Sequence, residues 1–183
     1  GIDEESDDDR RARVLDRIRK PPMGGDADDY VAWALEVPGV TRAWCAPLEM
    51  GVGTVTVRFM MDDLRAEDDG FPGAGDLDTV AAHLDEVRPV AVKDLFVVAP
   101  IAEPIDLTIA SLVTDSAAVR AAIAASIADM LARRAAPGQT IYHSWVSEAI
   151  SAATGEDHHV LTFADHVMPT AGHLAVPGVI TYA

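Results

Sequence analysis

The chain of 183 residues is strongly acidic, with 30 Asp and Glu residues against 14 Lys and Arg residues and a formal net charge of −16. Such a surface repels the phosphates of nucleic acids and of anionic membranes, so neither is an expected partner. Hydrophobic residues make up 49% of the chain, which excludes wholesale disorder and predicts folded domains with apolar cores.

The single cysteine, Cys45, excludes an intrachain disulfide and is interpreted as a small apolar filler in preference to a reactive thiol. No run approaches the roughly 20 apolar residues that a membrane-spanning helix requires. The N-terminus lacks the apolar core of a signal peptide, so synthesis in the cytoplasm is expected. Because the sequence begins at Gly1 without a methionine, we expect it to be a piece of a longer protein.

Residues 1–25 predict an N-terminal linker or docking helix, Glu4–Lys20. Acidic residues lead it and basic residues follow, which is the favourable order along the helix dipole. Its apolar stripe, which includes Leu15 and Ile18, is too narrow to form a core. We therefore expect these two side chains to pack on the body of the protein or on a neighbouring subunit.

Residues 26–100 predict a first unit with helices on one face of a sheet. Asp26 or Asp28 is expected to cap a short helix, because a carboxylate accepts the free N–H groups of the first turn. Two strands joined by a glycine turn follow as an antiparallel pair. In the second strand, residues 55–59 alternate between apolar and polar side chains, as in a strand buried on one face.

The rest of the first unit is predicted to be an acidic loop, a helix and a further strand. The loop, 62–75, has carboxylates that could collect calcium but lacks the spacing of an EF-hand, so we interpret it as solvated. Asp76 or Asp78 is expected to cap a helix that ends before Pro89. The apolar run 92–99 indicates a strand covered on both sides or lying centrally.

Residues 101–183 predict a second unit that follows a proline-bracketed connector at 100–104. A strand, two helices and two closing strands are expected in it. The fold class is therefore α/β (α+β), with two small units that each carry a mixed or antiparallel sheet and packed helices. The expected elements are a strand at 105–110, a helix capped by Thr114 or Asp115, a helix capped by Ser144, and strands at 160–163 and 179–182.

Most of the histidines lie near the C-terminal end, among carboxylates. Such groups can bind zinc. Adjacent histidines in a strand point to opposite faces, however, so His158 and His159 do not readily share one ion. We predict no metal and no cofactor, and keep a metal-dependent enzyme as an alternative. The residues concerned are His158, His159, His166 and His173, with Asp157 and Asp165 nearby.

No nucleophile, base and orienting group occur together in a recognisable pattern, so no catalytic residue is assigned and the protein is not predicted to be an enzyme. Trp44 and Trp145 are the remaining candidates. Tryptophan is enriched both in cores and at interface anchors, so each is a candidate interface residue.

Several motifs, in order, resemble a known family. Y-x-x-W-A, V-P-G-V, a tryptophan-bearing strand and G-x-G-x-V-x-V resemble the C-terminal half of baseplate J-like proteins, components of the baseplate wedge in Mu-like contractile phage tails. The resemblance extends over nearly the whole chain. Its flanking landmarks are GIDEESDDDRRARVLDRIRKPPMGG, RPVAVKDLFVVAP, APGQTIYHSWVSEAI and DHHVLTFA.

This resemblance implies a structural subunit of the baseplate wedge in a phage, a prophage or a tail-like particle, which holds neighbouring subunits around the tail hub and has wedge and hub proteins as partners. The alternative is a small-molecule-binding α/β module. Self-association is expected to be weak at low salt, because a net charge of −16 opposes contact between identical chains. Added salt should strengthen it by screening that repulsion.

Overall fold

The structure, a computed structural model, describes most of the chain but not the predicted first helix. That helix, Glu4–Lys20, lies outside the described residues except at three positions, so Leu15 and Ile18 are not described. The described residues are Asp7, Arg10, Arg11, 24–90 and 92–183.

The chain forms two compact units, residues 1–99 and 100–183, each with a three-stranded sheet. In each sheet the central strand pairs antiparallel with one neighbour and parallel with the other. The predicted α+β class, with helices and a mixed sheet in both units, is confirmed. The elements are α1 (Ala27–Leu35), β1 (Arg42–Pro47), β2 (Thr54–Met60), a 3-10 turn (Ala66–Asp68), α2 (Ala74–Val87), β3 (Asp94–Val97), β4 (Ile101–Ala110), α3 (Ala117–Arg134), α4 (His143–Ser151), β5 (Val160–Thr162) and β6 (His173–Tyr182).

The core of the first unit forms where α1 and α2 pack on one face of the sheet β1-β2-β3. As predicted, Asp26 caps α1, accepting the Asp29 N–H at 2.9 Å. Helical spacing of three and four brings the apolar side chains of α1 to the sheet. The buried side chains of this core include Tyr30, Ala34, Val57, Phe59, Val80 and Leu84.

Strand β2 is buried along all seven of its residues, whereas its alternation predicts burial on one face only. Val57 and Phe59 face the helices, but Thr56 and Arg58 on the opposite face are also buried. The alternation of polar and apolar residues reports polarity and not exposure. A polar residue can be buried when its charge is paired, as Arg58 is with Glu49.

The apolar run at 92–99 does not form a central strand, which corrects the prediction. Only Asp94–Val97 is strand, and it pairs parallel with β2 at the edge of the sheet. Leu95 and Val97 pack against the helix-facing core, whereas Phe96 is 39% exposed. A continuous apolar run does not distinguish a covered strand from a short edge strand, because pairing depends on residues distant in sequence.

Helix α2 begins before the predicted caps. Its N-cap is Gly73, and Asp76 lies inside the first turn with its carboxylate accepting the Gly73 N–H at 2.8 Å. Arg65 donates two further hydrogen bonds to Asp76, at 2.8 and 2.9 Å. The acidic loop 62–75 is therefore tied to the helix by an ion pair and is not simply solvated.

The long helix α3 is present, but its predicted cap is wrong. Ser116, and not Thr114 or Asp115, accepts the Val119 N–H at 3.3 Å. Asp115 instead pairs with Arg120. The buried stripe is Val119, Ile123, Ile127, Met130 and Leu131.

Ser144 does not cap α4, which is a further correction. The helix begins at His143, whose N–H donates to the Asp165 carboxylate at 2.8 Å. It ends at Ser151. A carboxylate 22 residues away in the chain thus satisfies the helix end.

The predicted connector at 100–104 is also wrong, because β4 begins at Ile101 and contains Pro104. The Ile101 N–H donates toward β6, to the Gly172 carbonyl. Because backbone N–H groups point alternately to the two sides of a strand, the N–H that Pro104 lacks would point away from β6. Strand β5 pairs only with residues 108–110, so proline removes no ladder hydrogen bond there.

Strand β6 is longer than the predicted 179–182, because it starts at His173 and runs through Pro177 and Gly178. A bulge interrupts its pairing with β4 beside Asp106. The Asp106 carboxylate accepts the Val179 N–H at 2.8 Å and so satisfies the bulged backbone.

Candidate functional site

Trp44 lies on β1, on the face of the first sheet opposite α1 and α2. Its neighbours Ala43 and Cys45 pack against the helix-facing core, and side chains alternate along a strand. The Arg42 guanidinium lies 5.4 Å from the indole centroid, within the range of a cation–π contact. Arg58 on β2 lies directly opposite Trp44. The half-buried ring is therefore held in place with part of its surface accessible.

The ion pair between Arg58 and Glu49 is the most buried charged contact on this face. The guanidinium donates to the two carboxylate oxygens at 2.6 and 2.8 Å. The side chains are 7% and 18% exposed. Hydrogen bonding from Arg58 lowers the pKa of Glu49, although burial opposes that shift. The carboxylate is thus stabilised in its charged form.

Trp145 lies half-buried on α4, in a cleft of about 120 Å³ beside α3. Tyr142 meets the indole edge to face, with 5.1 Å between ring centroids. The Arg134 guanidinium lies 5.3 Å from the indole and 3.0 Å from the Glu148 carboxylate. Trp, Tyr and Arg are the residue types enriched at the energetic centres of protein interfaces.

Cys45 behaves as the predicted apolar filler, since it packs against the core of the first unit. Burial, with smaller contributions from Asp26 and Asp28, raises the pKa of its thiol to about 11. The thiol is therefore protonated at neutral pH and is a weak nucleophile.

Three of the C-terminal histidines contact separate partners, whereas His158 lines a cleft with His159, Glu156 and Asp157. His158 and His159 precede β5, so the prediction that they alternate within a strand is wrong. Asp165 is engaged by the end of α4. The contacts are His159 Nδ1 to Glu156 at 2.8 Å, His166 Nε2 to Glu103 at 3.0 Å and His173 Nδ1 to Thr170 at 2.7 Å.

Neither a metal cluster nor a membrane-spanning helix is found within the described residues. No set of three or more His, Cys, Asp and Glu side chains there is placed to hold a metal ion. None of the helices in the described ranges combines the length and the apolar composition of a membrane span.

The sequence reasoning predicted the turn between β1 and β2 but missed the exposed apolar side chains that it carries. Leu48, Met50 and Val52 on this loop are 60%, 52% and 93% exposed. A signal was present, because turn residues are usually polar or glycine and this turn carries three large apolar side chains. Exposure of these side chains could not be read from the sequence.

Two domain models match the chain in tandem: the Baseplate J-like central domain over residues 22–99 and the Baseplate J-like protein C-terminal domain over residues 105–183. Protein JayE of Escherichia coli (strain K12) is 38% identical over 183 residues, which are 100% of this chain and 68% of JayE. Baseplate protein gp47 of Escherichia phage Mu is 34% identical over 176 residues, covering 91% of this chain and 48% of gp47. The chain thus spans about half the length of the Mu protein.

A solved structure has the same fold. It is a chain of the cryo-EM structure of the anti-feeding prophage baseplate, 6-fold symmetrised, with a TM-score of 0.61 over 96% of this chain and 42% of that chain. The two sequences are 14% identical, so this likeness shows the fold alone. The tandem domain matches and the identity with JayE go further, and together they show that the chain belongs to the baseplate J-like family.

Proposed function

We propose that this chain is a structural part of a phage-type tail baseplate and acts by binding neighbouring proteins, not by catalysis. The observation that carries the proposal is the tandem pair of family domains, together with 34% identity to a baseplate protein over 91% of the chain. The physical features agree with it. The described surface offers aromatic side chains held by cations, which is the chemistry of protein interfaces.

Trp44 and Trp145 are proposed as interface anchors, one in each unit. Their rings are half-buried and held by arginines, so little rotamer freedom remains to be lost on binding. The proposed partners are the wedge and hub proteins of the same particle, reached after synthesis in the cytoplasm. Self-association should be weak at low salt because of the net charge of −16.

The test is to purify tail particles from the source strain and to identify their proteins by mass spectrometry. The full-length protein that carries this chain is expected in the particles, and immunogold labelling should place it at the baseplate end. Trp145→Ala should reduce its incorporation by about tenfold or more, since interface anchors contribute at least ~1.4 kcal/mol. Val113→Ala, at an exposed site in the same unit, is the matched control.

Absence of the full-length protein from purified particles would refute the proposed function. Normal incorporation of Trp145→Ala would remove only the assignment of that residue as an anchor.

A further inference from the structure

The loop Leu48–Gly53 forms a tip at one end of the first sheet and is closed by backbone hydrogen bonds. Leu48 N–H donates to the Thr54 carbonyl at 2.8 Å, and two successive turns are closed by Gly51 N–H to Leu48 at 3.1 Å and Thr54 N–H to Gly51 at 3.3 Å. Leu48 adopts φ 63°, which is uncommon for a side chain of its size. The backbone of the tip is thus held in one conformation by its own hydrogen bonds.

The tip has the reverse of the usual arrangement, with its charged side chain turned inward and its apolar side chains turned outward. Glu49 reaches back to Arg58 on β2, and its side chain is only 18% exposed. On either side of it, Leu48 and Met50 are 60% and 52% exposed, and Val52 is 93% exposed. Single exposed apolar residues are ordinary, but three within five positions concentrate exposed apolar surface on one loop, as interaction sites do.

The tip also differs in charge from the acidic chain around it. Its one carboxylate is neutralised by Arg58. At its base, Lys93 N–H donates to the Gly53 carbonyl at 3.2 Å, and the Lys93 ammonium lies 3.9 Å from the Asp94 carboxylate. The charged groups described at the tip are therefore paired, within a chain of net charge −16. Such a neutral apolar projection is complementary to an uncharged apolar pocket.

We propose that Leu48, Met50 and Val52 insert into an apolar pocket of a neighbouring baseplate protein. This inference rests on the proposed function and adds the surface and the chemistry of its partner. A second copy of the chain is a poor occupant, because the net charge of −16 opposes close approach. Because the two hydrogen bonds from Arg58 to Glu49 hold the tip in place, little conformational freedom is lost when the tip is buried in a partner.

The experiment uses a strain in which the gene is deleted and the full-length protein is supplied in trans. The tip variant is Leu48→Asn, Met50→Ser and Val52→Ser; asparagine tolerates a positive φ. The control variant is Val113→Ser, Val160→Ser and Val167→Ser, at positions that are 64%, 47% and 71% exposed. Purified tail particles are the probe, and mass spectrometry measures the protein relative to the other tail proteins.

The tip variant should incorporate at least about tenfold less than wild type, because the lost burial removes more than one decade of affinity. Its melting temperature and the incorporation of the control should be unchanged. Normal incorporation of the tip variant, or an equal loss for the control, would overturn the proposal. So would binding to phosphatidylcholine vesicles that the tip variant loses, since that would assign the tip to a membrane. Absence of the wild-type protein from the particles would instead refute the proposed function on which this inference rests.

Discussion

The two central strands, β2 and β4, have the same pairing but different burial. Each pairs antiparallel with one strand and parallel with another. All seven residues of β2 are buried, whereas β4 leaves Ala102, Pro104 and Asp106 exposed. On β2 a buried charge, Arg58, is neutralised by an ion pair with Glu49, whereas on β4 Asp106 is exposed and Glu103 is half-buried beside His166. Two central strands with the same pairing thus differ in how their own charged side chains are accommodated.

Arg58→Ala should have the largest effect and tests this difference directly. The change leaves the partly buried Glu49 carboxylate without its partner, so the free energy of unfolding should fall by about 3 kcal/mol. The measurement is urea denaturation followed by circular dichroism. Asp106→Ala on β4 is the matched change, and should cost only about 1 kcal/mol because it removes one exposed hydrogen bond. If Arg58→Ala and Asp106→Ala lost equal free energy of unfolding, the proposed difference between β2 and β4 would be wrong.

The pH dependence of stability should sharpen the same result. Since Arg58 lowers the folded-state pKa of Glu49, this pair contributes stability above the unfolded pKa of about 4.3. That contribution is lost as pH falls through the lower folded-state value. Wild type should therefore lose more stability on acidification below about pH 5 than Arg58→Ala does. If the free energy of unfolding fell equally with pH in the two proteins, the Arg58–Glu49 ion pair would not be the source of this pH dependence.

Gly178→Ala should have an intermediate effect, because the bulge of β6 has no room for a side chain. A Cβ there would lie 2.5 Å from the Asp106 carboxylate and 2.6 Å from the Ile105 carbonyl carbon. Backbone cannot move aside cheaply, so we expect a loss of about 1–3 kcal/mol. Gly75→Ala in α2, where a Cβ meets nothing within 4 Å, is the control and should stabilise by about 0.5–1 kcal/mol. Tolerance of alanine at position 178 would mean that the bulge is adaptable.

Asp165→Ala should have the smallest effect, about 1 kcal/mol, because it removes only the acceptor of the first free N–H of α4. Thermal denaturation of the variant measures it. Asp157→Ala, an exposed carboxylate in the same unit, should change stability by less than about 0.5 kcal/mol. If the two variants are equally stable, the long-range cap contributes nothing to the second unit.

Local signals predicted those elements whose causes lie within one turn or one strand. Asp26 caps α1 as predicted, because the N–H that its carboxylate accepts is only three residues away. The same reasoning failed for α4, because its acceptor, Asp165, is distant in sequence. The same reasoning also predicted a connector that ends at Pro104. Proline is tolerated in a strand only where no neighbouring strand needs its N–H, and strand pairing, which local sequence does not show, decides whether that is so.

The sequence by itself determined the family resemblance, the α+β class and the residues able to form each core, since these depend on residue type and on periodicity along the chain. Only the tertiary structure decided which polar residues are buried, which strand lies at an edge, and that Glu49 turns inward while Leu48, Met50 and Val52 face solvent. The physical reason is that burial and strand pairing depend on partners brought together from distant parts of the chain, as Arg58 and Glu49 are by the reversal between β1 and β2.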